Sequence, residues 1–425
     1  VAKADMITLL RKIFFSLLVI ILLFTSGCWN RREMDTLTVN SALGFDLIET
    51  NGETKILLSV LTIKPSQAIG GAGDMAGGGA GQQQSVTGQV ISITGDTVED
   101  AVRNWNQCSS RQLFMAHTVL FVIGESVAKE GIGWVIDFGT RNRDIPERAL
   151  VVVCEGTARD ALQAQPEFEP LLSTEVYNIL NQNRYFTSKS KATDIIETMY
   201  DLLTPGRDVS LAFLKTFVPP EKGSSVRQTP QSIDGKDSEG EQPDHKVPTV
   251  AGAVVFRGEK AVGRLNEAET QGMLFIMGEA QGGIISVAFD STGKNTSFLF
   301  RDVNTKVKTV IEKNEISFQV EIKGTGELIS AAPGTIDITN RSDIQKMEHM
   351  INKEVVYRCR KAVNKAQELG SDPFGFGDKL HRTHPDVWKK IENHWGEIFP
   401  HVKVNITADF SVEHSGLIDK SLHIR

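Results

Sequence analysis

The sequence predicts an α+β chain of three domains, each a mixed or antiparallel sheet packed with helices, behind a removable leader. Three observations carry this. Short apolar runs alternate with amphipathic stretches between residues 38 and 205, the pattern of strands and helices in packed layers. A tract with almost no apolar side chains, 221–247, interrupts the middle. From about residue 283, apolar runs joined by short polar turns give way to one long striped helix. With 425 residues, 40% of them hydrophobic, the chain can fill two or three cores. A net charge of −7, from 46 basic and 53 acidic residues, argues against a nucleic-acid binder, so no nucleic-acid partner is expected. Four cysteines are too few for a disulfide scaffold.

The leader comes first. Lys3, Arg11 and Lys12 precede an apolar run from Ile13 to Phe24, long enough for a signal-peptide core and short of the roughly 20 residues of a spanning helix. Thr25, Ser26 and Gly27 then lead to Cys28. A small residue before cysteine at the end of an apolar core resembles the bacterial lipobox, in which the thiol is acylated and the peptide is cut just before it. Thr25 stands where lipoboxes favour leucine. Loss of residues 1–27 takes the charge from −7 to −9, since three cations and Asp5 leave with them. Three cysteines remain, Cys108, Cys154 and Cys359. An odd number leaves at least one unpaired, and Cys154 and Cys359 read as buried free thiols.

In the N-terminal domain (28–205), VNSALGFDLI and TKILLSVLTI flank Thr50-Asn51-Gly52-Glu53 and predict a hairpin. The Gly-rich tract 70–84 lacks any phosphate-binding spacing and reads as a flexible loop. A strand at 85–93 leads to a helix at 96–107 capped by Asp96 or Thr97. Strands at 118–124 and 149–155 and helices near 126–138, 174–184 and 191–203 follow, the last stopped by Pro205-Gly206. A middle domain (206–282) holds strands at 209–218 and 249–256, a further short strand and a helix at 266–277, interrupted by the polar, mobile tract 221–247. The C-terminal domain (283–425) reads as antiparallel strands at 284–289, 296–301, 303–312 and 315–325. A helix from about 343 to 369 follows, with Ser342 and Gln345 as a capping box. Ile344, Met347, Ile351, Val355, Cys359, Ala362, Ala366 and Leu369, at spacings of three and four, form its buried stripe. A helix at 385–395 and a strand at 402–412 close the chain.

Chemistry is hard to find. His381 and His384 form HxxH, with His394 and His401 nearby, but no HExxH or CxxC exists and His384 precedes proline, so no metal is assigned. No GxSxG or cysteine-protease setting occurs. Pairs such as Glu167 and Glu169 arise freely among 53 acids. Neither a catalytic residue nor a cofactor is expected. Trp388 and Trp395, seven apart, with Phe399, read as core. In Asp372-Pro373-Phe374-Gly375-Phe376-Gly377-Asp378, glycines between phenylalanines imply a structured turn with both rings anchored.

Cys28-Trp29-Asn30-Arg31-Arg32-Glu33 resembles the opening of Ger(x)C lipoproteins, the C subunits of nutrient germinant receptors in endospore-forming bacteria. The resemblance continues through ALGFD (42–46), HTVLFVIGESVAKEGI (117–132), RNRDIPERALVVVCEG (141–156) and LGSDPFGFGDKLHRTHPDVW (369–388). It implies a non-enzymatic lipoprotein on the outer face of the spore inner membrane, held to lipid through acylated Cys28 and assembled with integral membrane A and B subunits. The motif positions carried over are Trp29, Arg31, Glu33, Asp372, Phe374, Gly375 and Gly377, as structural or contact residues. The resemblance puts the ligand pocket in the membrane subunits and leaves a germinant site on this chain open. The competing expectation is a solute-binding lipoprotein that hands a small nutrient to a transporter.

Overall fold

The computed structural model describes residues 11–16, 36–63, 88–218, 246–288, 295–313, 315–330 and 340–414. Cys28, Trp29, Arg31 and Glu33, most of the leader's apolar core, the Gly-rich tract and the polar tract up to residue 245 lie outside them.

Strands β1 (Leu37–Thr50) and β2 (Glu53–Ile63) form the expected antiparallel hairpin. Asn51 and Gly52, with φ of 56° and 83°, supply the two left-handed residues of a tight two-residue turn. Strand β3 (Gln89–Gly95) pairs with β2 and leads to α1 (Val98–Cys108), whose cap is Thr97, its side chain accepting from the Asp100 N–H. Strands β4 (Gln112–Phe114) and β5 (Leu120–Ile123) run parallel to β1. The helix expected over 126–138 is two, α2 (Glu125–Glu130) and α3 (Gly133–Arg141). They are broken at Gly131, whose φ of 144° excludes helix. Strand β6 (Leu150–Cys154) is followed by α4 (Ala158–Leu162), α5 (Leu172–Phe186) and α6 (Ile195–Leu203). Then come β7 (Ser210–Phe217), β8 (Val247–Arg257) and β9 (Lys260–Leu265).

These nine strands make one sheet in the order β3-β2-β1-β5-β6-β7-β8-β9, with β4 beside β1. The boundary expected at 205/206 therefore falls inside a sheet. The strands assigned to a middle domain, β7 to β9, extend the N-terminal sheet through β6, with Val152 opposite Ala212 and Cys154 opposite Leu214. The physical reason is that β7 is apolar on both faces and must be covered on both, as a central strand is. Period-two alternation divides the cover. Leu43, Phe45, Phe121, Val151 and Phe213 face α1, α2, α3 and α6, while Ala42, Val122, Val152, Ala212 and Leu214 face α4 and α5.

Helix α7 (Glu267–Met277) opens with a capping box, Asn266 and Glu269 exchanging bonds with each other's backbone N–H. A second sheet follows, with β10 (Gly283–Ala288), β11 (Asn295–Glu312), β12 (Glu315–Ser330) and β13 (Lys403–His414) in that order. The two strands expected over 296–312 are one, irregular between Arg301 and Asn304 where Asp302 takes φ 49°. The sheet is mixed and not antiparallel throughout, because β13 is parallel to β12. Between them α8 (Arg341–Leu369), α9 (Phe376–Thr383), α10 (Pro385–Ile391) and α11 (Trp395–Ile398) carry the chain back, and a crossover of that length returns a strand in the same direction. Asn340, accepting from the Ser342 N–H, caps α8 in place of the expected Ser342–Gln345 box. The helix expected over 385–395 is interrupted by a 3₁₀ turn at Glu392–His394. Helix α8 also shields the outer edge of β13, since the Phe410 N–H donates to Asn352 (2.7 Å) and the Val412 N–H to Glu348 (3.1 Å).

One core joins the two sheets. Ala253, Val255 and Leu265 of the large sheet pack with Met273 and Phe275 of α7, Phe298, Phe300 and Phe318 of the second sheet and the α8 stripe. Helices α7 and α8 meet backbone to backbone, since a Cβ on Gly272 would lie 2.3 Å from the Arg358 carbonyl oxygen. Gly272→Ala should therefore lower unfolding stability by about 2 kcal/mol, the usual scale for overpacking. Gly396→Ala, where a Cβ meets nothing within 4 Å, should leave stability unchanged or raise it by up to about 1 kcal/mol. Urea denaturation of the two variants makes the comparison.

Candidate functional site

Four of the motif residues, Asp372, Phe374, Gly375 and Gly377, gather where the segment after α8 docks on the turn before β7. The end of α8 begins the construction. Gly370, at φ 64°, turns the chain out of the helix, and Ser371 bridges back to Ala366 O through its N–H and to Phe256 O of β8 through its hydroxyl. Asp372 follows, 2% exposed. Its carboxylate accepts from the N–H groups of Phe376 (3.2 Å) and Gly377 (2.9 Å) and from the Trp395 indole (3.1 Å). The carboxylate thus organises the first turn of α9 from inside. Gly375, at φ 73°, lets the chain double back between the two rings. Phe374 and Phe376 lie 5.2 Å apart, with Phe376 on Phe318 at 4.7 Å and on Phe399 at 6.4 Å.

The facing element is Pro205-Gly206-Arg207-Asp208. Asp208 donates its N–H to Asp372 O (2.9 Å), and its carboxylate accepts from the N–H of Asp372 (2.7 Å) and of Gly258 in the β8–β9 turn (3.0 Å). The Asp378 N–H donates to Gly206 O (2.9 Å). Gly206 and Gly377 touch backbone to backbone, for a Cβ on Gly377 would lie 2.6 Å from Gly206 O and 2.6 Å from the Trp395 indole nitrogen. A Cβ on Gly375 would lie 2.7 Å from Arg207 Nε. Only glycine fits at these approaches.

Charges surround the joint. Arg207 bridges Asp201 of α6 (3.3 Å) and Asp378 of α9 (3.2 Å), and Arg382 also binds Asp378 (2.7 Å). Lys191, 2% exposed, lies 2.8 Å from Glu197 and 3.6 Å from Asp201. Burial alone would drive its ammonium towards neutrality, but Glu279, Glu197 and Asp201 outweigh that and hold the proton on. Burial pushes the Asp372 carboxyl up to about 7, against the hydrogen bonds from Gly377 and Phe376, and the neighbouring Asp208 pushes the same way. Burial raises Asp208 too, against its bonds from Asp372 and Gly258.

The arrangement is that of a structural joint: both carboxylates accept from backbone N–H groups, and the buried Asp372 carboxylate also accepts from the Trp395 indole. The motif's partners Gly206, Arg207 and Asp208 were missed in the sequence, where Pro205-Gly206 read only as a helix stop. Trp395 read as core, and it is also a donor to Asp372. His381 stacks on Trp388 at 5.7 Å, and among the described residues no cluster of three or more His, Cys, Asp or Glu that could hold a metal ion forms. Cys154 and Cys359 are free and buried, with burial raising both thiols, while Cys108 is exposed.

A second internal carboxylate explains ALGFD. Asp46 accepts from the N–H of Ala158 (2.7 Å) and of Arg159 (2.9 Å) at the start of α4, and a Cβ on Gly124 would lie 1.9 Å from it. The carboxylate lies just beyond the end of β5, where it caps the start of α4 from inside the fold.

Asp372→Ala, which strips an acceptor from three buried N–H groups, should cost about 3 kcal/mol or more in denaturant melts. The pH dependence has a definite sign. The native carboxyl holds its proton to about 7 while the unfolded one releases it near 3.8. The protonated form's contribution is therefore complete below about 4 and gone above about 7. The stability of the wild type relative to Asp372→Asn should fall across that window and level off above it. A difference that is flat or rising from pH 4 to 7 contradicts the assignment.

Residues 30–216 match the family described as spore germination protein N-terminal domain, and residues 251–416 match spore germination B3/GerAC like, C-terminal. The chain is 25% identical over 421 residues to spore germination protein KC of Bacillus subtilis (strain 168), spanning 96% of this chain and 97% of that one. It is 22% identical to spore germination protein B3 of the same organism, over 96% and 98% of the two chains. The crystal structure of the GerBC protein superposes with a TM-score of 0.51 at 19% identity, covering 88% of this chain and 98% of that one, so the fold is shared. With both parts matched in order and relatives spanning nearly its full length, the chain belongs to the Ger(x)C family of spore germination proteins.

Proposed function

We propose that this protein is a membrane-anchored lipoprotein subunit of a spore nutrient germinant receptor, working by contact with the integral membrane A and B subunits and not by catalysis. Family membership gives a role in spore germination; the anchor and the partners are the further step. The observation that carries the reading is that relatives named as spore germination proteins match the chain over more than nine-tenths of both lengths, while Cys28 stands behind an apolar run and three small residues. Acylation at Cys28, with the first residues Trp29, Arg31 and Glu33 at the lipid surface, would hold the protein on the outer face of the spore inner membrane. Two acyl chains suffice for stable anchoring, at about 0.8 kcal/mol per buried methylene.

The joint around Asp372 supports a contact role, because it locks the second sheet and its helices to the first and presents partners with one fixed surface. The competing solute-binding reading is disfavoured by the second part of the chain, whose sheet β10-β11-β12-β13 and long helix do not repeat the large sheet as a matching lobe.

Deleting the gene should impair germination on one class of single nutrients, with sporulation normal and complementation restoring the response. Cys28→Ala protein should leave the membrane fraction, and germination should slow. Full germination on every nutrient tested, together with tight binding of a small nutrient by the purified chain, would overturn the receptor reading in favour of solute delivery.

A further inference from the structure

Helix α8 has 29 residues and is about 43 Å long at 1.5 Å per residue. Its apolar stripe is buried in the core, and its opposite side faces solvent. That side carries Lys346, Lys353, Arg360 and Lys361, all exposed, with His349 and Tyr357 between them. Lys346, Lys353 and Arg360 stand seven residues apart, so they line up on one side of the helix at intervals of about 10.5 Å.

The neighbouring acids neutralise only part of this. Asp343 lies 3.9 Å from Lys346, and Glu354 binds Arg358. Glu368 binds Lys365, and Glu348 serves the β13 edge. Glu269 of α7 lies near Lys361, whose ammonium sits 4.8 Å over the Tyr357 ring. Lys353 and Arg360 have no carboxylate partner among the described residues. At the first turns of α8 a shallow, open depression is lined by Ser342, Gln345, Lys346, His349 and Met350. All this stands on a chain of net charge −7.

We infer that the solvent face of α8 is a docking surface for anionic lipid headgroups, laid along the membrane to which the chain is tethered. The inference rests on the anchored reading above for its source of lipid. Its composition favours a bilayer over a protein. Lysine is depleted from protein–protein interfaces, whose centres are apolar and aromatic, whereas unpaired Lys and Arg beside a membrane are the recognised signature of attraction to anionic leaflets. A straight row of cations also meets a charged plane at every position at once, while a protein partner needs acids in matching register. Each such cation strengthens the attraction roughly fivefold, and salt screens it.

The test uses the full chain with its Cys28 anchor and lysine acylation read by mass spectrometry, on phosphatidylcholine vesicles with or without 30% phosphatidylglycerol. Acylation of Lys346 and Lys353 should drop about tenfold on the anionic vesicles at low salt and recover in 0.5 M sodium chloride. Lys308 and Lys323, on the outer face of the second sheet, should not change. Lys353→Glu/Arg360→Glu, at exposed positions, should abolish the protection of Lys346 without altering the thermal melt.

Equal acylation of Lys346 and Lys353 on the two vesicle types overturns the inference. So does undiminished protection in the double variant, or protection of Lys346 and Lys353 that appears only when the membrane subunits are added. Flotation on plain phosphatidylcholine reports the anchor separately. A chain that fails to float refutes the anchored reading, and lysine protection is then still read with anionic vesicles in excess.

Discussion

A buried carboxylate is unfavourable unless its oxygens are satisfied, and Asp372 is satisfied by donors that exist only if the chain around it takes one shape. The Phe376 and Gly377 N–H groups reach it only when the segment turns at Gly375. The Trp395 indole reaches it only when the helices after α9 fold back over that turn. Its own peptide group, shared with Asp208 on both sides, brings in the strand order of the large sheet. The rings of Phe374, Phe376, Phe399 and Trp388 then pack where that backbone leaves them. One residue thus ties the end of the long helix, the closing helices of the C-terminal part and the entry to β7 into a single arrangement.

Much of the fold was legible because it is local. The Asn51-Gly52 turn, the alternation along β1, β5 and β6, the Thr97 cap and the stripe of α8 follow from the chain's own periodicity. What failed to show were relations between distant segments. A run such as SLAFLKTF declares itself a strand, but nothing in it names β6 as its neighbour, so a middle domain was expected where the large sheet simply continues. The direction of β13 was hidden for the same reason, being set by where four helices deliver the chain. At the candidate site the glycines and rings of 372–377 were legible as an anchored turn, whereas Gly206, Arg207 and Asp208 look like any helix-terminating turn until Asp372 is placed against them.

Several family-motif residues among the described ones turn inwards. Asp46 of ALGFD caps α4, Gly124 makes room for that carboxylate, and Asp372 to Gly377 form the joint. Such positions hold shape.

The joint also dictates an order of events in the life of the chain. Asp208 and Asp372 are 164 residues apart, and β12 finds its parallel partner only in the last strand. Contacts of such long sequence separation form slowly, because loop closure comes before any reward. A chain delivered N-terminus first therefore holds Asp208, Gly206 and the β8–β9 turn uncovered until nearly all of it has emerged. Maturation is then a late, concerted closure and not a march from one end, and whatever tethers the leading end early keeps an unfinished sheet beside its destination while the rest arrives.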